Sequence, residues 1–508
     1  MDNGIITISI VAFYFILLIA IGSWASTKIK NTEDYVLAGR SLGFWVFTIL
    51  MVASICSGMT LVGVSGFGYS SGWPGIWEQI FVPLAASFCI IVFGVKIRHI
   101  AKKSGYLTIE DYFSHRFESP QMIRGLSATA GIIVSLIYLV GQYTAISIVL
   151  IWLFNLQQWQ ALLIAGVIIT AYTVIGGLYA VSWTTLVQGL LLIFGVITIA
   201  PILIAKAGGL AHINGVLAGV DPNFVQPWYP SPPYAAYAYC TPEFLVSFGL
   251  LLMVGLACAP HVINNVLAVK DEKFFKWSPL IAFVIYAVVM FLVKFSGFAV
   301  RALVEEGKLV LPDVINSQDY AFIFGVQEAM PNMFVWAFFA VVILAAVMST
   351  TDRLMFTVGT MFSWDIYRNL IKPKASDKEV LLVSRIAVVA AAAVTLLLAV
   401  NPPQMLAILI WMGIGVMLAT FAVPLIAGLY WRGATKEGAI AAMAIGLIGA
   451  VSLGFYHQFI AKLPVHFSLY ALVLSAAAMI IVSLVTPRCT KEHLDETYTG
   501  LYIRPKDL

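Results

Sequence analysis

Charge is scarce in this chain. Of its 508 residues only 11% are Asp, Glu, Lys or Arg, against 61% hydrophobic ones, and the mean hydropathy is +0.94. A soluble domain cannot keep that much apolar surface from water. The five cysteines (Cys56, Cys89, Cys240, Cys258 and Cys489) are scattered and form no CxxC pair. That argues against a disulfide framework and a cysteine zinc site, and leaves them as small residues at helix contacts. HExxH and P-loop motifs are missing too, so an intramembrane enzyme is not expected. What remains is a polytopic membrane protein.

Thirteen apolar segments are long enough to cross a bilayer, the first at 5–26 and the last at 467–485. The first is expected to span rather than to be a cleaved signal: Asp2 precedes it and Lys28 and Lys30 follow, the reverse of a signal peptide's charge order. With the N-terminus outside and the C-terminus in the cytoplasm, 23 of the 29 basic residues fall in cytoplasmic segments, as the positive-inside rule requires. The loops 206–242 and 301–332, rich in Pro, Gly and aromatic residues, are expected as ordered caps over an outer mouth. The tail beyond Thr486 is polar and carries no signalling domain, which weighs against a membrane sensor.

Three hydroxyl residues, Ser349, Thr350 and Thr351, interrupt the ninth segment beside Asp352. Each hydroxyl can bond back to the carbonyl one turn earlier, yet a cluster at membrane depth also offers the oxygens a hard cation such as sodium needs. The second segment (MVASICSGMTLVGVSGFGYSSGW) is rich in glycine and hydroxyl residues, and a helix break is expected near 53–58. Five segments later, Pro260 in LMVGLACAPHVINNV removes a backbone donor and predicts a second break. Two interrupted helices at matching places in five-helix halves point to an inverted-repeat transporter. Its parts are a peripheral helix and loop at 1–43, a first repeat at 44–206, an outer loop at 207–242, a second repeat at 243–430, and two peripheral helices with the tail at 431–508.

IGGLYAVSWTTLVQG at 175–189, AAVMSTTD at 345–352 and PLIAGLYWRGATKEGA at 424–439 together resemble the sodium/solute symporter family. The resemblance implies an all-helical, LeuT-like fold of five plus five inverted helices, and a sodium site between its second and ninth helices. Carried onto this chain, that site uses the carbonyls of Ala53, Cys56 and Ala346 and the hydroxyls of Ser349 and Thr350. Some members hold a second sodium through an acid after the Trp-Thr of the VSWT stretch. Thr185 stands there instead, so one sodium per solute is the simpler expectation. The proline branch also has an acid inside the first break, where this chain has Ile55.

The same match implies solute-facing positions at Ser57, Thr60, Gln79, Tyr138, Gln142, Cys258, Ala259, His261 and Trp411. Lys294 is either a snorkelling lysine or a cation for a solute carboxylate. Asp352 and Arg353 are either a gate and release path or polar groups lining an inner vestibule, and Glu78 is expected at the outer interface in contact with water. APHVINNVLAVKDEK resembles the organic-acid branches, and NPPQMLAIL with PLIAGLYW the pantothenate branch. A small monocarboxylate (acetate, propionate, pyruvate or lactate) is therefore the expected solute, with pantothenate or proline as alternatives. No cofactor and no nucleic acid are expected; the partners are sodium, the solute and the lipid of the cell membrane, with the monomer as working unit. Proton coupling through Asp352 or His261 is the remaining rival.

Overall fold

A computed structural model describes residues 3–230, 240–314, 316–330, 332–400 and 406–498. These are helical throughout apart from their connections; the one β-bridge among them joins Leu42 to Val269. Eleven helices are long and apolar enough to cross a bilayer, or twelve if Phe44–Ile55 and Met59–Ser71, bent by 58° at the break between them, make one span. The remaining expected span, the fifth at 159–175, corresponds to Gln158–Val174, whose 17 residues reach only about 26 Å at 1.5 Å per residue, short of the roughly 30 Å hydrocarbon core. It runs into the next helix through Gly177, at φ +52° and ψ −154°. Only glycine tolerates that geometry here, and an added Cβ there meets the Tyr35 ring at 2.5 Å.

Burial separates an inner bundle from an outer ring. The most apolar stretches of Met122–Phe154, Pro242–Leu267, Phe334–Ile371 and Ile410–Tyr430 are 78–83% buried within the protein. Those of Ile6–Ser26, Asp377–Ala399 and Phe467–Val485 are 28–33% buried and turn the rest of their apolar surface outward, as lipid-facing helices do. The helix ends are set by local chemistry. Asn31, Ser376 and Thr435 accept backbone N–H bonds at the starts of their helices, and Thr108 with Asp111 forms a capping box before Ile109–Arg116.

The two long loops fold as short helices, Gly209–Val220 in one and Ala321–Ala329 in the other. The first loop is tied down by Trp73 Nε1 to Asn214 Oδ1 (2.8 Å), Trp77 Nε1 to Pro227 O (2.8 Å) and Tyr229 Oη to Ser71 O (3.1 Å). Up to residue 230 it is an ordered cap, as its composition suggested; positions 231–239 lie outside the described residues.

Candidate ion and solute site

The first break frees carbonyls. Phe44–Ile55 ends in Cys56, whose backbone is extended (φ −74°, ψ 104°). In an unbroken helix Ala53 O takes its bond from the amide of residue 57; here Ser57 N donates instead to Thr60 Oγ1 (3.1 Å), and Thr60 N to Ser57 O (2.8 Å). Ala53 O and Cys56 O are therefore left facing the long helix Met333–Thr360. Ser349 Oγ lies 3.3 Å from each of these carbonyls and 2.9 Å from Ala346 O. Thr350 Oγ1 lies 3.2 Å from Ala53 O and 3.0 Å from Cys56 O. Five neutral oxygens from two helices thus converge in a place closed to solvent. Gly58 permits the approach: an added Cβ there sits 2.6 Å from the Ala145 Cβ and 3.0 Å from Val347 Cγ1.

Several predicted solute positions gather on the far side of the same break. Gln142 Oε1 accepts from Gly58 N (3.0 Å), Ser57 Oγ accepts from Met59 N (3.2 Å), and the Tyr138 hydroxyl is 3.4 Å from Ser57 Oγ. The amides at the start of the second half-helix are thus satisfied by side chains able to exchange them for a ligand. His261 faces Tyr138 edge-on, with ring centroids 5.9 Å apart, and neither of its ring nitrogens has a hydrogen-bond partner among the described residues.

The second interruption is milder than expected. Pro242–Leu267 still counts as one span, broken only by a turn at Cys258–Ala259 before the helix restarts at Pro260. Ala259 is the N-cap of that half-helix, and Cys258 Sγ bonds to Gly255 O (3.3 Å). Trp411 stands edge-on between Phe67 and Phe248, at 5.0 and 4.8 Å, and closes one wall.

Other predicted positions lie elsewhere. Gln79 is buried, and with its amide turned to suit its neighbours donates to Gly75 O (3.2 Å) and Ile76 O (2.9 Å) of its own first turn. Lys294 neither snorkels nor stands open to a carboxylate. Its Nζ pairs with Glu78 Oε2 at 3.1 Å, both side chains are fully buried, and the ammonium sits 4.4 Å over the Phe67 ring. Glu78 is correspondingly not solvated, because its counter-ion and the aromatic wall enclose it. Asp352 and Arg353 are buried rather than lining an open vestibule. Tyr172 donates to Asp352 Oδ2 (3.3 Å), and Arg353 donates to His261 O (3.2 Å), tying the hydroxyl-bearing helix to the second break.

Three participants escaped the sequence. Asn265 Nδ2 donates to Ser54 Oγ (2.9 Å) and links the two interrupted helices directly. The Tyr286 hydroxyl meets Thr60 Oγ1 at 3.1 Å. Their only signal is a polar group inside an apolar span, which many packing residues share. The third is a network at the end of the bundle that carries most of the Lys and Arg, where Arg124 pairs with Asp111 (2.6 Å) and Asp365 (3.0 Å).

A multi-pass bundle with a broken helix, five converging oxygens and buried polar side chains beside them has the architecture of a membrane transporter. The fold agrees: a solved Na+-coupled sialic acid symporter, substrate-bound and outward-open, superposes with a TM-score of 0.79 at 17% identity, covering 96% of this chain and all of that one. Mhp1, a nucleobase-cation-symport-1 family transporter, does so at 0.53 and 15% identity over 92% and 99%. At the sequence level the family model for sodium:solute symporters matches residues 35–446, and the chain belongs to that family. It is 27% identical to the osmoregulated proline transporter OpuE of Bacillus subtilis over 94% of both chains. It is equally similar to the sodium/pantothenate symporter of Haemophilus influenzae, over 88% of this chain and 90% of that one. The protein is accordingly a transporter rather than an enzyme, residing as a multi-pass protein in the cell membrane.

Proposed function

We propose that this protein imports a small carboxylated solute together with one sodium ion by alternating access. The observation that carries the coupling is the convergence of Ala53 O, Cys56 O, Ala346 O, Ser349 Oγ and Thr350 Oγ1 within 2.9–3.3 Å of one another's hydroxyl donors. Sodium draws these oxygens to about 2.4 Å, the range of the similarly sized calcium ion, and so joins the broken helix to Met333–Thr360. A cage without a carboxylate holds the ion weakly enough to release it. Thirteen helices cross the membrane, with Gln158–Val174 as a short span that a locally thinned bilayer accommodates, the N-terminus outside and the basic end in the cytoplasm.

The solute sits between the two breaks, among Ser57, Thr60, Tyr138, Gln142, Ala259 and His261, under Trp411. The positive end of the half-helix Pro260–Leu267 favours a carboxylate through its dipole, although Pro260 has no amide and Val262 N and Ile263 N already donate to Ala259 O. Relatives named for proline and pantothenate, both carboxylic acids, are consistent with that class. A monocarboxylate such as pyruvate, lactate, acetate or propionate is the solute we put first. Sodium orders Ala53–Cys56, and the solute binds the next residues of the same break, so each ligand raises the other's affinity reciprocally. Asn265–Ser54 and Arg353–His261 O carry that order to the second interrupted helix.

Sodium and a monoanion together move no net charge, so the chemical gradient rather than the potential drives their entry. Proton coupling is favoured by one feature, the buried Asp352 whose Oδ1 has no hydrogen-bond partner among the described residues. Uptake of labelled pyruvate, lactate, pantothenate and proline into proteoliposomes, with sodium and proton gradients imposed separately, decides between them. Uptake under the sodium gradient alone supports the proposal; uptake that follows only the proton gradient overturns it.

A further inference from the structure

The described part of the tail beyond the last span, up to Tyr498, folds back onto the bundle. Lys491–Thr497 forms a short helix capped by Thr490, anchored by Arg432 to Asp495 (2.7 Å) and by the Tyr498 hydroxyl to Tyr430 O (3.0 Å). It lies against the loop helix Ile109–Arg116, and where the two meet, His115 faces His493 with ring centroids 5.3 Å apart and planes at 85°. Glu496 stands three residues after His493, on the same face of the tail helix. One ligand atom from each of His115, His493 and Glu496 falls within 4.8 Å of the other two.

The surroundings suit metal ligation. The Tyr106 hydroxyl is hydrogen-bonded to His115 Nδ1, which leaves Nε2 for a ligand role. Glu118 Oε1 stands 3.9 Å from His493 Nδ1, and His493 Nε2 is buried with no hydrogen-bond partner among the described residues. An oxygen hydrogen-bonded to one imidazole nitrogen, as Tyr106 provides for His115, is the arrangement that orients metal-bound histidines. Nothing in the sodium and solute site uses these residues.

We propose that His115, His493 and Glu496 bind one divalent transition-metal ion, zinc for choice, and that the ion clasps the tail helix to the loop helix. Two imidazoles and one carboxylate are a common protein set for zinc, with water as the fourth ligand. Ligand atoms on a zinc tetrahedron lie about 3.3 Å apart, so the three side chains close in slightly as the ion binds. Magnesium and calcium, which take oxygen ligands, are excluded by the two imidazoles. The clasp reaches the transport bundle, because the same loop helix supplies Asp111 to the Arg124–Asp365 network and Arg116 to Gly428 O (2.8 Å). Bound metal therefore stiffens this end of the bundle and slows any motion that parts the two helices.

The test uses purified, tag-free, chelator-stripped full-length protein in nanodiscs, titrated calorimetrically with zinc and, separately, with magnesium. One zinc per chain is expected, with no magnesium binding. Its affinity should fall about tenfold or more in His493→Gln and in His115→Gln, and remain unchanged in His212→Gln, a histidine distant in sequence and partnered with Glu306. Hydrogen exchange adds a readout on the intact wild type, with zinc slowing exchange across 489–498. Absence of saturable zinc binding, equal affinity in His493→Gln, or exchange at 489–498 indifferent to zinc overturns the proposal.

Discussion

Replacing Thr350 by valine keeps the shape of the side chain and removes one of the five oxygens. In the present geometry that oxygen lies 3.2 Å from Ala53 O and 3.0 Å from Cys56 O, so it sits at the centre of the cage. A hydrogen-bonding group facing a charge contributes about 1.5–3 kcal/mol, equivalent to a weakening of sodium binding by roughly 10- to 150-fold. Ser349→Ala removes the second hydroxyl, and with both gone the loss should exceed about 100-fold even if the neighbours are not additive. Binding of radiolabelled sodium to purified protein measures this without knowledge of the solute. Thermal unfolding in potassium is the control, where the lost hydroxyl bond costs only about 0.5–1.5 kcal/mol. Should the double variant bind sodium within about twofold of the wild type, less than ~0.5 kcal/mol, the cage is not the sodium site.

Other outcomes follow from the same contacts. Lys294→Met strands the buried Glu78 charge and is expected to cost about 3–5 kcal/mol of stability, much of it recovered by adding Glu78→Gln; thermal unfolding of single and double variants checks this. Arg353→Gln should leave sodium binding nearly intact and slow solute uptake, since Arg353 holds His261 O at the second break rather than the ion; equal losses in both assays contradict that division. Glu110, in the loop helix outside the spans, is lifted from 4.5 to about 7, first by burial and then by the charge of Asp111. Between those values the folded protein holds a proton there that the unfolded chain has released, so this group's contribution to stability is fully present below about 4.5 and is lost as pH rises toward about 7. Glu110→Gln should flatten that decline in urea unfolding; an unchanged profile assigns the pH dependence to another group.

The convergence of oxygens was legible because its parts are local in sequence: a hydroxyl triplet in one span and a glycine-rich interruption in another. Their meeting also needed the family resemblance, since nothing within either segment says which helix it touches. The Glu78–Lys294 pair was not legible, for its members are 216 positions apart and each alone has an ordinary explanation at a membrane interface. Glu78 was misplaced for that reason, and Gln79 because its amide turns back on its own helix. The segment expected at 159–175 is matched by Gln158–Val174, which a single glycine, Gly177, joins to the next helix. Pro260 marked the second break in the right place and overstated it. Proline removes a donor only from its own residue, and at the first turn of a half-helix that donor is not missed.

The most direct measurement is a high-resolution cryo-EM map of the protein in sodium, compared with one in a large organic cation. The account expects sodium-dependent density about 2.4 Å from all five oxygens of residues 53, 56, 346, 349 and 350. Hydroxyls of Ser349 and Thr350 still resting on the carbonyls of the break, with the ion ordered elsewhere, would contradict it.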